Sequence, residues 1–306
     1  MIRRNIDIIN KITKLITDKK YRFNVLLRHG FYNKWSDERF LKKIYKIRMG
    51  ESLNLECPVT FNEKLQWLKL HDRNPLYTKM VDKYEFKNYI KERLGEGYTI
   101  PTLGVWDSFD DIDFSSLPDK FVLKCTHDSG GLVICKDKEN FDVDKAREKI
   151  NNALKSDYYL TSREWPYKNV KRRVIAEKYM EEDESGVLTD YKVFCFNGVP
   201  KIVYISKDKA ENPTTDFFDE NFNHLEMRMR DPNSKTVPKK PKFYDEMLDI
   251  ARKLSANIPH VRVDFYYINN KIYVGELTFF HCGGLQRIEP KSWEKKMGEW
   301  IDISMI

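Results

Sequence analysis

The sequence lacks any hydrophobic run long enough to cross a membrane. Its longest apolar stretches, such as Ile202–Ile205, have the length of a strand, whereas a membrane-spanning helix needs about 20 consecutive apolar residues. The N-terminus begins with basic residues, but no continuous apolar segment follows them, so we do not expect a secretion signal. We therefore expect a cytoplasmic protein.

Cysteines are few and widely spaced. Five are present, at positions 57, 125, 135, 195 and 282, and no two of them form a Cys-x-x-Cys pair. This number and spacing argue against a disulfide scaffold and a zinc ribbon, and they favour a reducing compartment. Glycine and proline are also sparse, at 13 and 12 residues, so we expect no long flexible linker.

Several common active-site patterns are missing. No Gly-x-x-x-x-Gly-Lys-Ser/Thr motif and no strand-linked Gly-x-Gly-x-x-Gly motif occurs, which excludes P-loop and Rossmann nucleotide sites. The segment His127–Gly131 is similar to the nucleophile segment of trypsin-like proteases. That interpretation fails because the clearly upstream histidines, His29 and His71, stand in no recognisable setting and because a secreted, disulfide-bonded chain is not expected.

The chain is long, rich in charge and moderately basic. It has 306 residues, of which 41% are hydrophobic and 33% charged, and its formal net charge is +7. This composition excludes a disordered or collagen-like chain, and the length indicates two domains or one large one. The basic excess is spread along the chain, which suits an anionic substrate such as a nucleotide or an acidic polysaccharide. It is too diffuse to indicate a nucleic-acid partner.

Isoleucines recur at helical spacing near the N-terminus. Ile2, Ile6, Ile9, Ile12 and Ile16 are separated by polar and basic residues, which predicts an amphipathic helix. Its apolar face either packs on the rest of the chain or docks on an anionic membrane surface.

The sequence after this helix predicts further helices and, from residue 121 onward, three hairpins. Helices are predicted at Asp37–Arg48, after the capping box Thr60–Glu63, and at 79–94, 143–155 and 244–256. Hairpins are predicted at Phe121–Lys136, Tyr191–Ser206 and Val261–Thr278, with turns at 128–131, 197–198 and 269–271. Together they predict an α+β fold with antiparallel sheets.

The third hairpin brings two carboxylates together. With a three-residue loop at 269–271, Asp264 faces Glu276 and Arg262 faces Thr278, so that all four share one face. The carboxylates repel each other unless a cation lies between them, and either Mg²⁺ or Arg262 itself could fill that position. A two-residue loop would instead put the carboxylates on opposite faces. The opposite face is predicted to be core and carries Val261, Val263, Phe265, Tyr273, Leu277 and Phe279.

The first hairpin combines a lysine with a glycine-bearing turn. Lys124 ends a strand that enters the segment Thr126–Gly131. Backbone N–H groups of such a turn can bind phosphate oxygens beside the lysine, although Ser-Gly-Gly is also common in ordinary turns. The apolar strand Val174–Met180 runs into the polar segment Glu181–Ser185 and could line an adenine pocket or be an ordinary buried strand.

In order and spacing, these segments resemble the ATP-grasp superfamily and, in detail, the TupA-like ATP-grasp family found with bacterial surface-polysaccharide genes, whose members are often labelled glycosyltransferases. The resemblance covers roughly residues 60–300. It implies an ATP-grasp fold with two α/β subdomains whose antiparallel sheets enclose ATP, preceded by a helical N-terminal region. The implied divisions are a helical region at 1–60, a pre-ATP-grasp domain at 61–119, a small subdomain at 120–180 and a large subdomain with the metal site at 181–306.

The resemblance implies contacts to the ATP phosphates. Lys83 and Lys124 match the two phosphate lysines, and Lys207 is a further candidate contact. The phosphate-covering loop matches His127, Asp128, Ser129, Gly130 and Gly131.

The resemblance also implies contacts to the adenosine. Glu177 matches the acceptor for the adenine amino group, Asp190 lies in a segment near the ribose, and Lys192 places a cation near the substrate or phosphate. The adenine hinge continues through Lys178, Tyr179 and Met180.

Metal and substrate residues are implied on the third hairpin and just after it. Asp264 and Glu276 match the Mg²⁺ ligands, and Arg262 matches a group that stabilises charge on the transferring phosphoryl group or on the tetrahedral intermediate. Many family members have an asparagine as a further ligand where this chain has Thr278. The segment His281–Gly284 occupies the place of the loop that usually binds the acceptor substrate, and the alternative is a turn that ends the strand.

The implied activity is ATP- and Mg²⁺-dependent carboxylate–amine ligation through an acyl phosphate. The partners implied are an acidic sugar or polysaccharide precursor and an amino acid or other amine, in the cytoplasm or at the inner face of the membrane. Three alternatives stay open: a sugar kinase with the same ATP apparatus, a non-catalytic polyanion-binding module, and a glycosyltransferase with an Asp-x-Asp motif at Asp111–Asp113 or Asp142–Asp144.

Overall fold

The structure is a computed structural model that describes residues 2–180, 189–207 and 213–306. In these ranges the helices α1 to α10 are Ile2–Thr17, Lys19–Arg28, Asp37–Met49, Phe61–His71, Leu76–Val81, Glu85–Leu94, Val143–Lys155, Tyr159–Ser162, Tyr244–Leu254 and Ser292–Glu299. The strands β1 to β9 are Thr102–Trp106, Phe121–Cys125, Leu132–Cys135, Val174–Lys178, Asp190–Phe196, Val199–Lys207, Thr214–Phe218, His260–Ile268 and Lys271–Thr278. Short 3₁₀ turns lie at Phe109–Asp111, Phe114–Ser116, Trp165–Tyr167, His281–Gly284 and Ile303–Met305.

The strands form two antiparallel sheets. The smaller sheet has four strands in the order β1-β4-β2-β3, and the larger has five in the order β7-β6-β5-β8-β9. All three predicted hairpins are present, as β2–β3, β5–β6 and β8–β9. Together with helices α1 to α3, which precede both sheets, this arrangement confirms the predicted α+β fold with a helical N-terminal region.

Local sequence signals account for several helix ends. The predicted capping box begins α4: Thr60 Oγ1 accepts from the Glu63 N–H at 3.3 Å, and the Glu63 carboxylate accepts from the Thr60 N–H at 3.0 Å. Helix α3 ends at Gly50, whose φ of 81° is the left-handed conformation that glycine adopts without steric cost.

Apolar side chains gather in three clusters. The largest covers the five-stranded sheet with α4, α5, α6 and α9, the second lies between the four-stranded sheet and α7, and the third joins α2 and α3. Strand β1 pairs with β4, so that 102–106 share a sheet with 121–135. The predicted boundary between residues 119 and 120 stays a prediction.

The third hairpin has the predicted pairing of Asp264 with Glu276, but its loop and register differ from the prediction. Ile268 pairs with Lys271, so that the loop has two residues, not the predicted three. Asn269 and Asn270 have φ values of 52° and 58°, as a type I′ turn requires. A β-bulge then shifts the register between Asp264 and Phe265, and Asp264 faces Glu276 as predicted.

The bulge also changes the predicted core face. Phe265 pairs with Val274, which is 1% exposed, whereas Tyr273 pairs with Tyr266 on the other face. The assignment of Tyr273 to the core was therefore wrong, because the two-residue turn shifts the outer part of β9 by one position. Gly275 is the extra residue of the bulge, and a Cβ there would lie 2.6 Å from Cε2 of Tyr266.

The helix predicted at 79–94 is interrupted. Helix α5 ends at Val81 and α6 begins at Glu85. The Asp82 carboxylate accepts from the Tyr84 N–H at 2.8 Å and from the Glu85 N–H at 3.3 Å, and the Lys83 N–H donates to the Thr126 carbonyl at 3.1 Å. The N–H groups of Lys83, Tyr84 and Glu85 therefore bond to partners other than the carbonyls of the preceding helical turn, and the helix is interrupted here.

Helix α1 does not bury the described part of its apolar face. Ile12 is 51% exposed and Ile16 is 70% exposed, so the prediction that these two side chains pack on the rest of the chain is wrong. The side chains of Ile2, Ile6 and Ile9, and the polar segment 181–185, lie outside what the structure describes. Among the described residues, none of the helices combines the length and apolar character that crossing a bilayer requires.

Candidate functional site

A cavity of about 320 Å³ opens where the break between α5 and α6, the turn after β2 and the polar face of β8–β9 meet. Its lining includes six of the predicted site residues: Lys83, Asp128, Ser129, Arg262, Glu276 and Thr278. Residues that are far apart in the sequence are thus brought together around one space.

The guanidinium of Arg262 lies between the two predicted carboxylates. It donates to the Asp264 oxygens at 2.6 and 2.7 Å, and its Nη2 also donates to Glu276 Oε1 at 3.0 Å and to Thr278 Oγ1 at 3.1 Å. Asp264 is buried, whereas 47% of the Glu276 side chain is exposed. Arg262 therefore balances the two carboxylates, which is one of the two solutions expected from the sequence.

Strand β5 adds a second cation to this face. Lys192 is directly opposite Asp264, and its Nζ lies 3.0 Å from both Asp264 Oδ2 and Asp190 Oδ2. Burial alone would raise the pKa of Asp264, but Arg262 and Lys192 outweigh it and hold that pKa at about 2. Burial opposes the charge of Lys192, yet Asp264 and Asp190 hold its pKa above the ordinary value.

A buried histidine completes the contacts of Arg262. Arg262 Nη1 donates to Nδ1 of His281 at 2.6 Å, so the imidazole acts as an acceptor. Burial and the neighbouring Arg262 lower the pKa of His281 well below its usual value, and this keeps the ring neutral. The backbone after it turns sharply, with Cys282 at φ 49° and Gly283 at φ 64°.

The oxygen donors on this face fit a magnesium ion that is shared with a nucleotide. Among the described residues, no group of three or more His, Cys, Asp or Glu side chains could hold a metal ion alone. Asp264 and Glu276 nevertheless provide two carboxylates on one face, with the Thr278 hydroxyl beside them. Mg²⁺ takes one or two protein carboxylates and fills its remaining positions with phosphate oxygens and water, so the donor set is adequate for that use.

On the smaller sheet, Glu177 is bound by two lysines. Lys124 Nζ lies 2.6 Å from Glu177 Oε2, and the Lys87 ammonium pairs with Glu177 Oε1. Burial would raise the pKa of Glu177, but the two lysines hold it below the ordinary value. Lys87 was not predicted from the sequence, because its pairing with Glu177 depends on how α6 packs beside β4.

Lys83 is held at the cavity by the turn after β2. Its ammonium donates to the carbonyl of Asp128. Burial lowers the pKa of Lys83, and the charge of Lys124 acts in the same direction, whereas Glu276 and Asp128 oppose the change. These mutual effects show that the two predicted phosphate lysines and the Glu276 carboxylate share one electrostatic neighbourhood.

The turn itself is tightly built. The Asp128 carboxylate accepts from the Gly131 N–H at 2.9 Å, and a Cβ at Gly131 would lie 2.6 Å from the Cys125 sulfur. Ser129 lines the cavity, whereas the His127 ring is buried with its Nε2 3.2 Å from the Ser156 carbonyl. The structure therefore presents Asp128 and Ser129 to the cavity and turns His127 away from it.

Other predicted residues lie outside this cavity. Lys178, Tyr179 and Met180 line a separate cavity of about 410 Å³ that also includes Asn269. Lys207 pairs with Thr214 through its backbone, and its side chain is outside what the structure describes.

Carboxylates of both sheets influence the pKa of Tyr266, a residue that was not predicted from the sequence. Burial raises its pKa, and the charges of Asp190, Glu276, Asp264 and Glu177 add to that rise. The phenol therefore lies among carboxylates of both sheets. Tyr266 is two residues after Asp264 on the same strand, so strand alternation was a signal that could have placed it on this face.

The candidate Asp-x-Asp motifs have local structural roles. The Asp113 carboxylate accepts from the Ser115 N–H at 2.9 Å, and the Asp142 carboxylate accepts from the Lys145 N–H at 3.0 Å. Asp113 therefore caps the short 3₁₀ turn Phe114–Ser116 and Asp142 caps helix α7, and neither lines the cavity described above.

Comparison with known proteins gives a family match. A family model described as TupA-like ATPgrasp matches residues 63–302. No curated protein matches the chain.

Solved structures with a similar chain course include three enzymes. D-alanine–D-alanine ligase of Helicobacter pylori is 14% identical over 79% of this chain and 69% of that chain, with a TM-score of 0.43. The Bacillus anthracis D-alanine–D-alanine ligase is 18% identical over 65% of this chain and 57% of that chain, with a TM-score of 0.38. N5-carboxyaminoimidazole synthase of Aspergillus clavatus is 11% identical over 68% of this chain and 46% of that chain, with a TM-score of 0.39.

Proposed function

Because the chain belongs to the TupA-like ATP-grasp family, we propose that it is an ATP- and Mg²⁺-dependent carboxylate–amine ligase. The observation that carries this proposal is the polar face of β8–β9, where Arg262, Asp264 and Glu276 meet beside the cavity that Lys83 also lines. Two carboxylates and several cations converge where a triphosphate and a metal ion would need opposite charges.

The chemistry follows from the weakness of a carboxylate as an electrophile. Its charge is delocalised and its oxygens are poor leaving groups, so ATP first converts it to an acyl phosphate. An amine then attacks the acyl carbon, the C–N bond forms and phosphate leaves. This sequence requires positioning and charge stabilisation more than a protein nucleophile.

The residues divide this work by position. Lys83 and Lys124 hold the phosphates, Asp128, Ser129, Gly130 and Gly131 surround them, and Arg262 stabilises the negative charge that develops on the transferring group. Asp264, Glu276 and Thr278 would hold the magnesium ion, which would neutralise phosphate charge. Lys192 orients Asp264, with which it forms an ion pair.

The remaining predicted residues hold the nucleoside. We propose that the backbone of Lys178 and Met180 binds the adenine edge, that Tyr179 borders it, and that Asp190 faces the ribose. Glu177 accepts from Lys87 and Lys124 in the structure, so its proposed contact with the adenine amino group requires it to share these partners. Lys207 is retained as a candidate phosphate contact, whereas the His127 ring is not, because it is buried and turned away from the cavity.

The substrate classes are an acidic sugar or polysaccharide precursor and an amine. A screen for Mg²⁺-dependent ADP release across uronic acids and amines, with products identified by mass spectrometry, tests this proposal. A ligase releases ADP and phosphate together only when both substrates are present. A kinase would leave the phosphate on the product, and absence of any Mg·ATP binding would contradict both.

We also propose that the enzyme works in the cytoplasm at an anionic membrane surface. Ile12 and Ile16 are exposed on α1, and a cavity of about 550 Å³ close to α2 is lined by Lys19, Lys20, Arg22, Lys43 and Lys46 among others. An exposed apolar ridge beside several cations is the combination that binds anionic lipid surfaces.

A further inference from the structure

A buried carboxylate at one end of the main cavity has no part in the metal and phosphate contacts described above. Glu164 is 4% exposed and lines the cavity together with Arg262 and Glu276. Its Oε1 accepts from Ser162 Oγ at 2.6 Å. The sequence analysis did not single out this residue, because only the folded chain brings it beside the third hairpin.

The backbone directs Glu164 into the cavity. The preceding residue, Arg163, has a left-handed conformation with φ 57°. Its side chain is buried on the other side, where it donates to the Tyr32 carbonyl at 2.8 Å and covers the Phe40 ring at 4.3 Å. Because Arg163 is anchored in the N-terminal helices, the side chain that follows it points the opposite way.

The nearest buried cation is not bonded to Glu164. The Lys69 ammonium donates to Gln66 Oε1 at 3.0 Å, the Ser162 carbonyl at 2.8 Å and the Gly283 carbonyl at 2.7 Å. These three bonds use all three of its protons. Lys69 therefore stabilises the charge of Glu164 without contacting it, and among the described residues the carboxylate has no direct cationic partner.

The surroundings of Glu164 suit a small cation with an apolar body. Tyr158, Tyr167 and Phe280 line the same cavity, and the rings of Tyr158 and Tyr167 are 4.7 Å apart. Gly283 lies beside the carboxylate, since a Cβ there would be in ordinary van der Waals contact with Glu164 Oε1 at 3.6 Å. A carboxylate beside aromatic rings is an arrangement that binds ammonium groups.

Lys83 and Arg262, the cations in the described lining of the cavity, are both assigned above to the ATP phosphates and the transferring group. Lys83 donates to Asp128, and Arg262 donates to Asp264, Glu276, Thr278 and His281. Within the described lining, no cation stands ready beside Glu164 for a carboxylate carried by the amine substrate. Burial raises the pKa of Glu164 because the ionised carboxylate loses contact with water. A bound cation would offset this cost.

We propose that Glu164 binds the ammonium group of the amine substrate, and that this substrate is a primary amine without a carboxylate of its own. The proposal rests on the ligase function proposed above. It narrows the amine substrate to primary amines that are not amino acids. Hydrogen bonds from the ammonium group to Glu164 place its nitrogen in the same cavity as Arg262 and Glu276, where the acyl group is activated. The ammonium group gives one proton to the Glu164 carboxylate, and the free amine then attacks the acyl carbon.

The test uses three small probes and the full-length protein. Dissociation constants for n-butylammonium, butan-1-ol and γ-aminobutyrate are measured by saturation-transfer NMR titration. We expect the wild-type protein to bind n-butylammonium at least about tenfold more tightly than either other probe, because only that probe offers a cation without an added anion. Glu164→Gln should remove this preference, whereas Glu148→Gln, an exposed control on α7, should keep it.

Two further measurements keep the test decisive. Glu164→Asp retains the charge and shortens the side chain, so it should fold and should weaken n-butylammonium binding in part. The thermal shift produced by Mg·ATP should be the same in all folded variants. Equal n-butylammonium binding by wild-type and Glu164→Gln, or no preference in the wild-type protein, overturns the proposal. Loss of the Mg·ATP shift in the wild type would instead contradict the proposed function and leave the probe comparison valid.

Discussion

Arg262 has more side-chain partners than its neighbours on the polar face of the hairpin. Its guanidinium donates to Asp264, Glu276, Thr278 and His281 in one plane of contacts. A guanidinium keeps its charge at any physiological pH and holds several acceptors in a fixed geometry. These contacts fix the two carboxylates relative to each other before any ligand binds, and His281 stays neutral because it accepts from Arg262.

Replacing Arg262 by lysine tests this role. Arg262→Lys keeps the charge but cannot bridge four acceptors, so we expect kcat to fall by about 100-fold or more while the protein remains folded. Steady-state ADP release and a thermal melt measure the two quantities. Arg252→Lys on the exposed face of α9 is the matched control and should leave both unchanged. Near wild-type turnover of Arg262→Lys would contradict the role of the guanidinium.

Asp264 should make stability depend on acid pH. Its pKa is held at about 2 in the folded protein, below the value of about 3.9 for an unfolded chain. Its contribution to the free energy of unfolding is therefore complete above about pH 4 and is lost as the pH falls towards 2. In urea unfolding between pH 2.5 and 5, the difference between wild-type and Asp264→Asn should shrink as the pH is lowered. The exposed control Asp249→Asn should show only a small difference from the wild-type protein.

For single residues, the sequence indicates which side chains are charged but not which of them form ion pairs. Lys83 and Lys124 were expected at the phosphates. The structure places Lys83 in the cavity that Glu276 also lines, whereas Lys124 pairs with Glu177. The pairing of Lys87 with Glu177 was not expected, since it depends on how α6 packs against β4. Such pairs follow from tertiary packing, which a single sequence does not specify.

The β8–β9 hairpin shows what can and cannot be predicted at the level of an element. The pairing of Asp264 with Glu276 was predicted correctly from a loop that was one residue too long. The two asparagines favour a two-residue turn, and this signal was available in the sequence. The bulge at Gly275 was not apparent because it depends on the Tyr266 ring, which occupies the space where a side chain would lie. The two errors cancel at the carboxylates and not at Tyr273.

The glycine in the bulge is expected to be required for stability. A Cβ at Gly275 would lie 2.6 Å from the Tyr266 ring, so Gly275→Ala should lower the free energy of unfolding by about 1–3 kcal/mol. Urea titration followed by circular dichroism measures this change. Gly130→Ala is the control for stability, because the nearest atom to its added Cβ is 3.9 Å away. Equal stability of the two variants would show that the ring moves aside and that the bulge does not depend on glycine.

At the scale of the whole molecule, helices from the N-terminal half hold the loop after β9 in place. Gln66 and Lys69 of α4 donate to the Gly283 carbonyl at 3.0 and 2.7 Å. These contacts join residues more than 200 positions apart, and they hold Gly283, which lines one wall of the cavity. The sequence predicted the fold class and the three hairpins from local patterns. It did not predict this wall, because no local pattern records which distant backbone carbonyl a buried lysine will meet.

Membrane association is a property of the whole N-terminal region and has its own prediction. The protein should float with vesicles that contain phosphatidylglycerol and not with vesicles of phosphatidylcholine alone, since the lysines around α2 attract anionic headgroups. The double variant Ile12→Ser and Ile16→Ser should reduce the bound fraction several-fold, because it removes the exposed apolar ridge. Val237→Ser, at another exposed apolar residue, should not. Equal flotation of all three proteins would contradict membrane docking by α1.

The most direct measurement for the whole account is the effect of Mg²⁺ on ATP affinity, determined by titration calorimetry with and without the metal. In the wild-type protein, Mg²⁺ should tighten ATP binding by about tenfold or more, because in the proposed site Asp264 and Glu276 would hold the ion beside the phosphates. Glu276→Gln should abolish this gain without lowering the melting temperature, since that side chain is 47% exposed, and Glu148→Gln should preserve it. A Glu276→Gln protein that still gains the full affinity from Mg²⁺ would show that the β8–β9 face does not bind the metal–nucleotide complex.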